Sequence, residues 1–267
     1  MRFLATLPEW LFGTIGGNSP CVELISDNGT KFLLDAGSGL REFALHGTPP
    51  KNNHYNILLS HFHWDHIQGI PFFGPTFNPK VRIDFYSAFP AAERILSVQN
   101  SCPYFPPNAG WKHIKDRFHF HLIKNRDVFF IDGVKISVRK MKHPGNSYTY
   151  AFEQNGKKFI YATDVELTSD DFEKSRFFED ADVLVLDSQY NFDEADRKKN
   201  WGHNIVFKAV DFARTHHAKK LFLFHHEPTY SDQKIFSILQ AARWYADSSD
   251  NRKMEIHLAI EGMEVEI

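Results

Sequence analysis

Short apolar runs recur along the chain, and several end on a histidine or an aspartate. Ile57-Leu58-Leu59 precedes His61, Val134–Met141 precedes His143, Lys157–Thr163 precedes Asp164, Val183–Leu186 ends at Asp187, and Leu221–Phe224 ends at His225. Runs of this length, rich in β-branched and aromatic residues, predict buried strands. Phe3–Leu7, Cys21–Ser26, Lys31–Asp35, Val81–Ser87, Phe118–Leu122, Tyr148–Glu153, Glu255–Ile260 and Glu264–Ile267 add further strands. Asp27-Asn28-Gly29 and Asn155-Gly156 supply hairpin turns.

The helical period appears between these runs. Leu40–Leu45, Ala91–Val98 and Asp170–Phe178 read as short helices. Trp201-Gly202-His203-Asn204 opens a longer one, with Val206, Ala209, Val210 and Ala213 on one stripe and Lys208, Asp211 and Arg214 opposite. Ser231-Asp232 starts another, with Ile235, Ile238, Leu239 and Ala242 on one face. Residues 99–113 carry prolines and aromatics, and predict an irregular loop or lid. His119 and His121 alternate within Phe118–Leu122, and read as the polar face of a strand. Strands followed by helices in each half predict a mixed α/β (α+β) fold.

Composition narrows the class. A hydrophobic fraction of 42% over 267 residues, including 26 Phe, is enough for a large core. The site-forming residues run from position 61 to 225, which favours one domain over 1–267. A net charge of −2 gives no global attraction to nucleic acid or to an anionic membrane. Cys21 and Cys102 imply no disulfide framework. Met1 to Gly13 lacks the apolar core of a signal peptide, and no apolar run approaches membrane-spanning length. The expectation is a cytoplasmic protein with free thiols and no membrane contact.

The densest chemistry is Ser60-His61-Phe62-His63-Trp64-Asp65-His66. In an extended segment His61 and His63 share a face. A turn into a helix near Asp65 would aim Asp65 and His66 at the same spot. Imidazoles with a carboxylate and no nearby thiolate suit zinc, manganese or iron.

This segment resembles the H-x-H-x-D-H signature of the metallo-β-lactamase superfamily. Phe12–Asn18, Leu34–Gly39, His143-Pro144-Gly145, Tyr161–Asp164, Trp201-Gly202-His203 and Phe224-His225-His226 follow in the order such proteins use. The resemblance implies a four-layer αββα sandwich, with two mixed sheets flanked by helices. It implies two divalent metal ions per chain, zinc being the first choice and manganese or iron the alternatives. One ion would take His61, His63 and His143, the other Asp65, His66 and His225, with Asp164 bridging. His226 is the rival of His225, and Asp35 resembles the buried aspartate that orients a ligand histidine. Asp65 and His203 are the implied catalytic residues, His203 as the acid that protonates the leaving group. Asn18, Tyr104 and Trp201 are the candidate substrate-binding residues.

The implied reaction is phosphodiester hydrolysis by a hydroxide between the metals. Weak global charge and many aromatics near the motif favour a small-molecule phosphodiester such as a 3′,5′-cyclic nucleotide. A large nucleic acid ranks low, because no Gly- and basic-rich arm like that of the tRNA 3′-processing endonucleases is found. Thioester or lactone hydrolysis is the alternative chemistry, and a homodimer is compatible with the sequence.

Overall fold

Two mixed sheets, each with its own helices, account for most of the chain. The computed structural model describes residues 15–267 except 174, 195, 196, 199 and 250–253. The expected strand Phe3–Leu7, and the start of the motif at Phe12, lie outside the described residues. The chain divides into two compact units. The first holds Asn18–Lys124 and Glu261–Glu266, and the second holds 15–17 and Asn125–Ile260.

The first unit carries a five-stranded sheet in the order β1-β2-β3-β4-β5. Its strands are β1 (Val22–Ile25), β2 (Lys31–Leu34), β3 (His54–Leu59), β4 (Arg82–Ser87) and β5 (Phe118–Leu122). β1 and β2 form an antiparallel hairpin across the Asp27–Gly29 turn, and the other pairs are parallel. Parallel neighbours need crossovers, and these hold α1 (Gly39–His46), α2 (Trp64–Ile67), α3 (Ala92–Gln99) and α4 (Trp111–Ile114). Every residue of β3 from Tyr55 to Leu59 is buried, the polar Asn56 included, so this strand is covered on both faces and ends in the apolar run Ile57–Leu59. Leu33, Ile57, Leu59, Ile83 and Phe85 pack with Leu40 of α1 and Leu96 of α3.

The second unit carries a seven-stranded sheet in the order β12-β11-β10-β9-β8-β7-β6. Its strands are β6 (Val128–Ile131), β7 (Val134–Met141), β8 (Ser147–Gln154), β9 (Lys157–Ala162), β10 (Val183–Asp187), β11 (Lys220–Phe224) and β12 (Glu255–Leu258). β6 to β9 are an antiparallel meander, and β9 to β12 are parallel. α5 (Val206–Thr215) and α6 (Asp232–Ser249) are its helices. Val210 and Phe212 of α5, with Ile238 and Leu239 of α6, bury against Ile160, Leu184, Leu221 and Leu223.

Local departures from expectation have local causes. Asp170–Phe178 is not a helix: a short 3₁₀ turn, Ser169–Phe172, is closed by a reciprocal Thr168–Asp171 cap. α5 starts at Val206, not at Trp201, because Gly202 takes φ +90° and the Asn204 side chain bonds Leu167 N–H and the Val165 carbonyl. Glu264–Ile267 forms no strand. β6 was not anticipated; it is four residues long, alternately exposed, and turned into β7 by Asp132-Gly133. No helix among the described residues is long and apolar enough to cross a membrane. Cys21 and Cys102 are both free.

Candidate functional site

Parallel strands deliver their C-terminal ends to one edge, and the polar residues that follow collect there. In the first unit β2 and β3 run side by side, with Leu34 opposite Leu58. Asp35 therefore emerges beside Ser60 and His61. Asp35 is fully buried and sits at φ +60°, a left-handed conformation uncommon outside glycine. Its carboxylate accepts the Ser60 amide at 2.7 Å and the Ser60 hydroxyl at 2.8 Å.

This anchors two imidazoles. His66 Nδ1 is 2.8 Å from Asp35 Oδ2; a carboxylate only accepts, so Nδ1 carries the hydrogen and Nε2 is left as the donor to a metal. Ser60 has already given its single proton to Asp35, so at 3.0 Å it accepts from His61 Nδ1–H. His61 thus also offers Nε2. The Asp35 role expected from sequence extends through Ser60, a residue that sequence reasoning passed over. The ligand atoms of His61 and His63 lie within 4.8 Å of each other, and Asp65 Oδ2 is 3.3 Å from His66 Nε2. Gly37 seats this loop: a β-carbon there would lie 2.2 Å from the Asp65 carbonyl.

In the second unit the register aligns Ala162 with Leu186 and Leu186 with Leu223. Asp164, Asp187 and His225 consequently leave neighbouring strand ends. Asp164 (φ +50°) and His225 (φ +61°) are again left-handed non-glycine residues, a form of strain that concentrates at functional sites. The two Asp164 oxygens face different imidazoles: Oδ2 is 3.6 Å from His143 Nε2, and Oδ1 is 3.2 Å from His225 Nε2. Thr163 donates its hydroxyl to Asp164 Oδ1 at 2.6 Å. His143 Nδ1 donates to the Gly202 carbonyl at 2.9 Å, which again leaves Nε2 as the exposed lone pair.

Asp164, Asp187, His203 and His225 form one group whose ligand atoms all lie within 4.8 Å. The fully buried Asp187 holds His203 Nδ1 at 2.6 Å and also takes the Asn204 amide at 3.0 Å. The His203 ring stacks on His225 at 4.9 Å. Sequence reasoning noted Asp187 as a strand end and missed this role; its signal was the same apolar run ending in an acid that marked Asp164. Burial keeps the neighbouring Tyr190 phenol protonated, reinforced by the charges of Glu227, Asp187, Glu194 and Asp164. That concentration of negative charge suits cations. His226 does not join any of these groups; burial and the adjacent His225 push its pKa down to about 4.

The substrate-binding candidates are placed unevenly. Tyr104 and Trp201 are exposed, at 67% and 58%, and the Lys198 ammonium lies 4.0 Å over the Trp201 ring. The Asn18 amide is engaged within its own unit, between Glu261 and the Ser38 hydroxyl. His121 pairs with Asp84 at 2.9 Å and stacks on Tyr86, as a polar strand face should.

The donor set fits divalent cations. It is imidazole and carboxylate throughout, and His61, His66 and His143 have Nδ1 tied back by an oxygen, the usual arrangement for a metal-binding histidine.

The profile of the beta-lactamase superfamily domain matches residues 30–226. Ribonuclease Z of Picrophilus torridus is 24% identical over 281 aligned positions, covering 90% of this chain and 89% of that protein. Five other curated relatives are named ribonuclease Z or ribonuclease BN. Among solved structures, the metallo-beta-lactamase fold protein YhfI from Bacillus subtilis superposes with a TM-score of 0.70 at 17% identity, over 92% of this chain and 90% of that one. Human tRNase Z, short form, superposes with a TM-score of 0.67 at 18% identity, over 98% and 95%.

Proposed function

This chain belongs to the metallo-β-lactamase superfamily of metal-dependent hydrolases, and we propose that it is a two-metal phosphodiesterase that cuts RNA. His61, His63 and His143 would hold one cation, and Asp65, His66 and His225 the other, with one Asp164 oxygen for each. Zinc is the first candidate for this donor set, with manganese and iron as alternatives. Bound there, such ions polarise phosphoryl oxygens and lower the pKa of water.

The observation that carries the reading is the Asp187–His203 pair beside Asp164 and His225. An alkoxide leaving from a phosphodiester needs a proton, whereas a thiolate leaving from a thioester does not. Asp187 fixes the His203 tautomer, keeps Nε2 facing the site, and stabilises the ring when it is charged. His203 Nε2 then protonates the departing oxygen. The pair therefore argues for phosphodiesters over the thioester alternative.

For the substrate, sequence alone ranked a cyclic nucleotide first and a large RNA low. The ribonuclease names of the relatives favour the opposite order, and we adopt it. A small base-bearing diester is the second reading, supported by exposed aromatics: Trp64 at 64% directly follows His63, with Phe72 at 65% and Tyr104 at 67%. The test is side-by-side kinetics on a precursor tRNA, cyclic AMP, a bis-aryl phosphate and a glutathione thioester. Highest kcat/KM on the tRNA supports the proposal. Preference for cyclic AMP selects the second reading, and preference for the thioester refutes both.

A further inference from the structure

Although the chain as a whole carries a net charge of −2, one cavity of the second unit is strongly basic. Its volume is about 420 Å³, and its walls include Arg126, Lys135, Arg139, Lys140 and Arg176. Asp127 and Glu153 are the acids that line it, and Asp171 lies 3.9 Å from Arg139, so the cations outnumber the nearby carboxylates by two.

The cavity follows from the strand pattern. Lys135, Ser137 and Arg139 alternate onto one face of β7, while Ile136 and Val138 are buried. Ser137 pairs with Ala151 of β8, and these two small side chains leave the space between longer ones open. Two of the cations have roles in the fold. Lys135 meets Glu153 at 3.0 Å, and Arg139 donates to the Ser175 hydroxyl at 2.6 Å while lying 5.1 Å over the Phe178 ring. Arg126, Lys140 and Arg176 are exposed and have no carboxylate partner among the described residues.

We propose that this cavity binds the phosphate backbone of the RNA substrate away from the bond that is cut; the proposal rests on the ribonuclease reading above. Fixed guanidinium and ammonium groups around a concave floor fit successive phosphates, and no base need be read. β7 gives the direction. At about 3.3 Å per residue, Lys140 lies roughly 10 Å and Lys135 roughly 26 Å along the chain from His143. A backbone lying on β7 is thereby led from the basic cavity towards the metal ligand at its end.

The test removes the three exposed charges together: Arg126→Gln, Lys140→Gln and Arg176→Gln, in the full metal-loaded chain. The probe is a labelled single-stranded RNA with hydrolysis-resistant phosphorothioate linkages, titrated by fluorescence anisotropy across a salt series. Three lost phosphate contacts should lower the slope of log K against log salt by about 2, and weaken binding on the order of tenfold at low salt. Turnover of bis-aryl phosphate should be unchanged, which also reports an intact fold and site. An unchanged slope and affinity would overturn the proposal, as would an intact protein that does not bind the RNA. With unmodified precursor tRNA as the cleavage arm, probe binding through these residues but no cleavage of the tRNA would leave the cavity standing and refute the ribonuclease reading. Cleavage of the tRNA with an unchanged slope for the probe would do the reverse.

Discussion

Replacing Gly202 with alanine should displace the proposed ligand His143 without substituting any proposed ligand. Two separate costs meet at this position. Gly202 sits at φ +90°, so any β-carbon adds backbone strain of roughly 1–2 kcal/mol. That β-carbon would also lie 2.3 Å from His143 Nδ1 and 2.3 Å from Pro144 Cδ, too close for either to stay put. The collision falls on the hydrogen bond that fixes the tautomer and tilt of His143. Losing such an orienting contact typically costs 10–100-fold in metal affinity or activity. Gly156→Ala is the control: it shares the strain at φ +76° but meets nothing within 4 Å. Chelator-competition titration should show one of the two ions held 10–100-fold more weakly in Gly202→Ala and both held normally in Gly156→Ala. Urea denaturation of the metal-free proteins should place Gly202→Ala about 1–3 kcal/mol below Gly156→Ala, the cost of the collision over the shared backbone strain. Equal metal affinity in both variants would refute the claim that the Gly202 carbonyl positions His143.

Two further outcomes follow from the same geometry. His203→Ala should lower kcat roughly 10²–10⁴-fold on an alkyl leaving group and much less on nitrophenolate, with metal content unchanged; equal losses on both would reduce His203 to a structural role. Asp84 lies outside the site: burial raises its pKa, but hydrogen bonds from Arg82, His121 and His54 outweigh this and hold it at about 2. A carboxylate depressed from about 3.9 stabilises the fold above that pH by about 2 kcal/mol, and loses the benefit as pH falls towards 2. Asp84→Asn should therefore be less stable by about that amount at pH 7, and the gap should close in acid; a pH-independent gap would contradict the assignment.

The fold was legible where one physical signal dominated. Continuous apolar runs marked β3, β10 and β11 because parallel strands are covered on both faces. The edge strand β6 stayed hidden because its four residues are half exposed and lack that contrast. The end of each apolar run put Asp164, His143 and His225 where strands meet a cleft, since chain direction brings strand ends to one edge; their expected part as ligands came from the resemblance to the family's motifs. What could not be read was connectivity across long separations. Ser60 looks like an ordinary loop serine until its oxygen is found accepting from His61 while its own proton goes to Asp35. The pairing of Asp187 with His203 spans a loop whose course depends on a left-handed glycine and a buried Asn204. The start of α5 was misplaced for the same reason: local helix signals at Trp201 lost to those two tertiary constraints.

The central claim is a pair of cations sharing Asp164, and metal stoichiometry tests it most directly. Elemental analysis of protein purified without chelator should find two divalent ions per chain. Asp164→Ala should lose occupancy at both positions, because each carboxylate oxygen faces a different histidine proposed as a ligand. Full occupancy in that variant, or a single ion in the native protein, would contradict the account.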